Sequence, residues 1–268
     1  MKKTRLDRRF AELKKQGKKG FIAYLAAGDP TLGDTVDIVL RLEDAGVDVI
    51  ELGLPFSDPL ADGRVNQTAA ARALEAGSTF GGVMECIAKI RERSEIPLIF
   101  YAYMNPLLSR GFDASMAASA AAGIDGFLLL DLPLEEAKPY RAALTENALN
   151  AIQLVTPTTP DDRIEKIVKH ANGFIYCVSR EGVTGVQDKL AEGAGSLVER
   201  INEKSNLPVA LGFGIGTPEQ ARDAARLADA VVVGSAIVNA FHNKPHTPAG
   251  RADAAVFVGE MAKAVKEI

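Results

Sequence analysis

Residues 36–52, VDIVLRLEDAGVDVIEL, contain one repeating unit of the fold. Val36, Val39 and Leu40 lie on one helical face that runs to the stop Ala45-Gly46, and Val47–Leu52 then reads as a strand. The phrase Ala-Gly-(Val/Ile)-Asp occurs at Ala45–Asp48 and again at Ala122–Asp125, each time as a helix-ending Gly that leads into a strand. Outward from this unit, strand-like runs recur at Phe21–Ala26, Val47–Leu52, Pro97–Tyr101, Gly126–Leu130, Ala151–Val155, Phe174–Val178, Pro208–Gly212 and Ala230–Val233. They are apolar throughout, as expected of strands covered on both faces. Amphipathic runs fill the gaps: Val83, Cys86, Ile87 and Ile90; Ile164, Ile167 and Val168 behind the start signal Thr159-Pro160-Asp161; and Val258, Met261, Ala262 and Val265. Eight strand–helix units without a Pro/Ser-rich linker predict an α/β protein, a single (β/α)8 TIM barrel over residues 1–268 with an extra N-terminal helix. A doubly wound open sheet is the alternative, but no Gly-x-Gly-x-x-Gly follows the first strand.

Composition sets the outer limits. The chain of 268 residues is 47% hydrophobic and 25% charged, which excludes a disordered or fibrous protein. Its net charge of −4 argues against a nucleic-acid binder. Residues 1–20 nevertheless carry nine Lys/Arg against Asp7 and Glu12. With Leu6, Phe10 and Leu13 at helical spacing, this start reads as an amphipathic helix rather than a targeting segment. No apolar signal core or 18-residue apolar run is present, so neither export nor a membrane span is expected. Two Cys, at 86 and 177, form no disulfide framework and suit a reduced, cytoplasmic protein.

In such a barrel the chemistry sits where strands end. Those ends offer Gly28-Asp29-Pro30, Glu51 with Asp58 and Asp62, Tyr103 and Asn105, Asp131, Thr156, Ser179-Arg180, Gly212–Gly216 and Gly234-Ser235. No Lys ends a strand, which disfavours a Schiff-base aldolase. His170, His242 and His246 fall away from the strand ends, so no metal set is expected there. Gly212–Gly216 after strand seven, and Gly234-Ser235 opening a helix after strand eight, predict a phosphate seat; Gly182–Gly185 would complete it. Glu51 should point into the mouth, lose hydration and gain a raised pKa suited to proton transfer. Asp58 and Asp62 compete for a second catalytic place, turn or cap duty being the alternative for each.

The stretch Glu51-Leu-Gly-Leu-Pro-Phe-Ser-Asp-Pro-Leu-Ala-Asp-Gly63 closely resembles the signature of the tryptophan synthase α-subunit family. Ala27–Pro30, Asp131–Pro133, Ser179, Gly182–Gly185, Gly212–Ile215 and Gly234–Val238 follow in the family's order over nearly the whole chain. The resemblance implies retro-aldol cleavage of indole-3-glycerol phosphate to indole and glyceraldehyde 3-phosphate, with no cofactor and no metal. It implies Glu51 as general acid/base and Asp62 as the carboxylate that binds the indole N–H. It implies Tyr24, Tyr101 and Tyr176 around the substrate, Thr184 and Gly185 on a closing loop, and Phe213, Gly214, Gly234 and Ser235 at the phosphate. It implies Pro55, Phe56, Asp58, Asn105 and Pro133 on a surface for a β subunit, in an α2β2 heterotetramer. A lyase that acts without a β subunit, or a non-catalytic activator of one, are the alternatives. Tyr24, Tyr101 and Arg180-Glu181 vary from the family pattern. Residues 179–195, rich in Gly and charge, should stand open without ligand and close over bound phosphate, bringing Thr184 toward Asp62. Phe56, between two prolines, is expected in water.

Overall fold

The computed structural model describes residues 3–178, 193–212 and 214–268. Helix α1 (Arg5–Gln16) precedes β1 (Gly20–Ala26) and α2 (Leu32–Asp44). Strand β2 (Val49–Gly53) is followed by α3 (Arg64–Glu75) and α4 (Phe80–Arg91), and β3 (Leu98–Ala102) by α5 (Met104–Leu108) and α6 (Phe112–Ala122). Next come β4 (Gly126–Leu129) with α7 (Arg141–Glu146), β5 (Asn150–Val155) with α8 (Asp161–Val168) and β6 (Ile175–Val178) with α9 (Ala194–Asn202). The chain ends with β7 (Val209–Gly212), α10 (Pro218–Leu227), β8 (Ala230–Val233), α11 (Ser235–His242) and α12 (Pro248–Lys266). Each strand pairs in parallel with the next, and β8 closes on β1. Among the described residues no helix is long and apolar enough to cross a membrane. Cys86 and Cys177 are free and buried.

The continuous apolar strands divide into two faces once the barrel closes. Phe21, Ala23 and Leu25 of β1 pack outward on the helices with Ile50, Leu52 and Phe100. Ile22, Val49, Ile99, Leu128, Ile152, Tyr176, Ala210 and Val232 fill the interior. Leu6, Phe10 and Leu13 of α1 join that interior cluster, with Phe10 against Phe174 at 5.6 Å. The extra helix therefore plugs the lower end of the barrel. Thr4 and Asp7 form a capping box that fixes its start.

The repeated Ala-Gly-(Val/Ile)-Asp phrase has a second purpose at that lower end. Gly46 and Gly123 take positive φ, 96° and 109°, as helix-ending glycines do. The Asp that follows each accepts an N–H at the start of the preceding strand: Asp48 from Phe21 at 2.7 Å, Asp125 from Leu98 at 3.0 Å. Asn172 accepts from Ala151, and Asp229 accepts from Val209 at 2.9 Å. Each even-numbered strand is thus preceded by a side chain that satisfies the start of its odd-numbered neighbour. The basic residues of α1 complete two of these sites. Arg9 pairs with Asp48 at 2.5 Å, joined by Lys266, and Arg5 and Arg91 flank Asp125. Asp48→Ala would orphan a buried N–H and remove the carboxylate that Arg9 and Lys266 share. It is expected to cost about 3 kcal/mol or more in urea unfolding. Asp48→Asn, which keeps an acceptor for Phe21, should cost less.

Two local expectations differ from the structure. Two helices, not one, separate β2 from β3; the first, α3, follows Gly63, which offers no capping side chain to mark its start in the sequence. The start of α8 stands where Thr159-Pro160-Asp161 marks it, but Thr159 does not cap the helix; its hydroxyl accepts the Thr156 N–H at 3.0 Å.

Candidate active site

Alternation along β2 puts Ile50 and Leu52 on the outer face and Glu51 on the inner one. Glu51 is 1% exposed, and its Oε1 has no hydrogen-bond partner among the described residues. Burial alone pushes its pKa up to about 8. A buried carboxyl with an unused oxygen in a barrel mouth is poised to meet a ligand atom.

Asp62 reaches the same mouth from the segment after β2 and is 5% exposed. Tyr101 donates its hydroxyl to Oδ1 at 2.8 Å, and Tyr103 donates to Oδ2 at 2.9 Å. Tyr103 also accepts the Ala61 N–H at 3.0 Å, so one phenol holds both the carboxylate and the backbone beside it. Burial raises the pKa of Asp62, while Tyr101, Tyr103 and the Asn66 amide counter it by favouring the charged form. Tyr101 and Tyr103 are themselves pushed above the ordinary phenol value, by burial first and then by Asp62, and remain donors. The two carboxyl environments thus differ in kind: Asp62 accepts from two phenols, whereas Glu51 meets no donor among the described residues. Asp58 is exposed, and its carboxylate takes the Ser57 hydroxyl at 2.5 Å. The mouth therefore contains Asp62 and not Asp58.

Around these acids lie three tyrosines. Tyr24 faces Glu51 in the strand register and meets Tyr101 edge-on at 5.0 Å. With Ala26, Ala69, Val238 and Val65 they make a small apolar wall. Tyr176 lies across the barrel and senses the charge of both Glu51 and Asp62. Glycine makes room for two of the rings. A Cβ on Gly53 would stand 2.6 Å from the Tyr24 hydroxyl, and one on Gly212 would stand 2.5 Å from that of Tyr176. Gly234 caps α11, and Ser235 begins it. Gly214 follows β7, while Phe213, Thr184, Gly185 and the rest of 179–192 lie outside the described residues.

The residues expected to meet a partner lie at or near the surface, with one difference. Asp58, Asn105 and Pro133 are exposed, Pro55 half-buried. Asp131 accepts the Met104 N–H at 2.8 Å, which joins the segments of Asn105 and Pro133. Phe56 is not in water; its ring packs on Tyr103 at 5.3 Å. Leu60, four residues on, does stand in water, 85% exposed. The packing of Phe56 gains aromatic contact that solvent would not supply.

Tyr103, read from sequence only as a strand-end residue, is thus a support of Asp62, and its spacing of two from Tyr101 was the available signal. Asn66 was missed outright. Tyr103→Phe keeps the ring on Phe56 but removes the donor to Asp62. A hydrogen bond to a charged group is worth about 1.5–3 kcal/mol, so a loss of roughly tenfold or more in kcat is expected in steady-state turnover if Asp62 serves the chemistry of the mouth.

A family model for the tryptophan synthase alpha chain matches residues 10–266. The chain belongs to the tryptophan synthase alpha chain family. It is 47% identical over 240 residues to the tryptophan synthase alpha chain of Caulobacter sp. (strain K31), covering 89% of this chain and 87% of that one. With the alpha chain of Caulobacter vibrioides (strain NA1000 / CB15N) it shares 43% over 268 residues, 99% of this chain and 98% of that one. The crystal structure of tryptophan synthase subunit alpha from Legionella pneumophila str. Paris superposes with a TM-score of 0.90 at 33% identity, over 99% and 100% of the two chains. The structure of Mycobacterium tuberculosis tryptophan synthase gives 0.90 at 32% identity over 98% of each chain. A tryptophan synthase alpha chain is an enzyme component of tryptophan biosynthesis, and in this one Glu51 and Asp62 share the mouth of the barrel.

Proposed function

We propose that this tryptophan synthase α chain cleaves indole-3-glycerol phosphate to indole and glyceraldehyde 3-phosphate. The observation that carries the reading is the contrast in one mouth between a proton-holding Glu51 with no donor among the described residues and an Asp62 held by two phenols. Carboxyls whose environments push them apart can divide acid and charge-stabilising tasks. Glu51 gives its proton to indole C3. The ring nitrogen becomes positive, and Asp62, accepting its N–H, balances that charge. Glu51, now a carboxylate, takes the proton of the glycerol hydroxyl beside the bond that breaks. The electron pair of the C–C bond returns to the indole ring, and the hydroxyl carbon leaves as the aldehyde. The proton is returned within the cycle, so the reaction asks for no redox group.

Tyr24, Tyr101 and Tyr176 enclose the indole in this reading. The phosphate sits at Gly234-Ser235, where the start of α11 offers backbone N–H groups, with Phe213-Gly214 and Thr184-Gly185 as its further contacts. The purified chain, given indole-3-glycerol phosphate, should release indole and glyceraldehyde 3-phosphate in equal amounts. Absence of indole from a folded preparation would sink the reading.

As a tryptophan synthase α chain it works with a β subunit. We place the docking surface at Pro55, Phe56, Asp58, Asn105 and Pro133, within an α2β2 heterotetramer. Phe56 stacks on Tyr103, and Tyr103 holds Asp62, so a partner pressing on Phe56 acts on the mouth through one ring. Binding of β should therefore raise indole release, and ligand in the mouth should tighten β binding by an equal free energy, typically about 1–3 kcal/mol. Asp58→Ala is expected to weaken that stimulation and leave the rate of the isolated chain unchanged. Comparing indole release with and without β for both proteins checks this. An unstimulated wild type would instead favour a lyase that acts alone.

A further inference from the structure

Asn66 is the third residue of α3, one helical turn beyond Asp62. Its Oδ1 lies 3.5 Å from the Ser235 hydroxyl, which donates to it across 169 residues of sequence. Its Nδ2 faces Gly234, 3.7 Å from where a Cβ on that residue would stand. The other direction leads to Asp62, whose carboxylate the same amide stabilises. One side chain therefore lies between the two ends of the proposed site, the carboxylate four residues before it and the residues that open α11.

We propose that Asn66 is a positioning residue that ties Asp62 to the phosphate seat at Gly234-Ser235, so that a phosphate monoester held there also sets the carboxylate at the other end of the same substrate. The inference rests on the phosphate assignment made above and deepens it. The physical reason is charge. A carboxylate and a phosphate that share one mouth repel, and a donor between them relieves both at once. An amide has two N–H donors and one acceptor oxygen. In the geometry shown, the oxygen is taken by Ser235, which leaves the two donors for Asp62 and for an oxygen arriving beside Gly234. An aliphatic side chain would fill this space but donate nothing, and an acid would add a third negative charge.

Three variants test this: Asn66→Asp keeps the shape and loses both donors, Asn66→Leu keeps the bulk alone, and Asn66→Gln keeps the amide on a longer stem. Indole release and the binding of glycerol 3-phosphate are measured for each, with urea unfolding to confirm that each is folded. The expected order of activity is wild type, Gln, Leu, then Asp. For Asn66→Asp, kcat/KM should fall by at least about tenfold, shared between a higher KM and a lower kcat, because the residue serves both ends. Glycerol 3-phosphate should bind Asn66→Leu and Asn66→Asp more weakly by at least about fivefold. Ser235→Ala should cost less in the Asn66→Leu background than in wild type, since the two act as a unit. A residue that merely completes the helix would give an Asp variant no worse than Leu, because Asp suits a first helical turn. Wild-type kcat and KM in Asn66→Asp, or unchanged glycerol 3-phosphate binding, overturns the proposal. A wild type that binds glycerol 3-phosphate through Asn66 but releases no indole would instead overturn the assigned reaction.

Discussion

Glu51→Gln is expected to slow indole release by at least about a hundredfold while substrate binding changes little. Gln matches Glu in size, so the mouth keeps its shape, but it has no proton to lend. The loss should appear in kcat, because the missing proton transfer belongs to the bond-breaking step. The unmutated enzyme carries a companion signature. Burial holds the Glu51 pKa at about 8, so the acid form that starts the cycle is present below that pH and disappears above it. The rate should therefore fall as pH rises past about 8. A Gln variant that keeps most of its activity would remove Glu51 from the mechanism.

The same substitution is expected to stabilise the fold in alkaline solution. In the unfolded chain Glu51 ionises near its ordinary value of 4.5; in the folded chain it holds its proton to about 8. Between those pH values the unfolded state has released a proton that the folded state retains, so stability falls as pH rises and levels off above about 8. The substituted Gln side chain would not titrate. The two proteins should be about equally stable well below the ordinary Glu value, and the variant should gain steadily through the window. The gain is at most about 5 kcal/mol on the alkaline side. Urea unfolding of both proteins at about pH 4, 7 and 9 reads the difference directly. A difference that does not grow with pH would mean that Glu51 carries no desolvation cost, and with that its acid role would lose its physical basis. Opposite signs for activity and stability are what a buried acid kept for chemistry should give.

Short-range pattern was enough for the architecture. Eight apolar runs between amphipathic ones describe a barrel, since each strand pairs with the next in sequence. Position at a strand end placed Glu51 at the mouth, because side chains alternate along a strand whatever lies around it. The Leu6, Phe10 and Leu13 stripe announced a buried helix face, although not that it plugs the barrel.

What depends on residues far apart in sequence was not legible. Asp58 and Asp62 are four positions apart, and only tertiary structure separates them: Tyr101 and Tyr103 reach Asp62 across 39 and 41 residues, while Asp58 is left in solvent. Phe56 looked exposed because its ring partner, Tyr103, lies on another strand's loop. Asn66 gave no signal, since α3 starts without a capping side chain and its contact with Ser235 spans the barrel seam. The sequence by itself determined the barrel, the two glycine-lined strand ends and the acid on β2, because these follow from local periodicity and backbone freedom. Only the tertiary structure decided which acid shares the mouth with Glu51 and what holds it there, because burial and hydrogen bonding are set by neighbours the chain supplies from elsewhere.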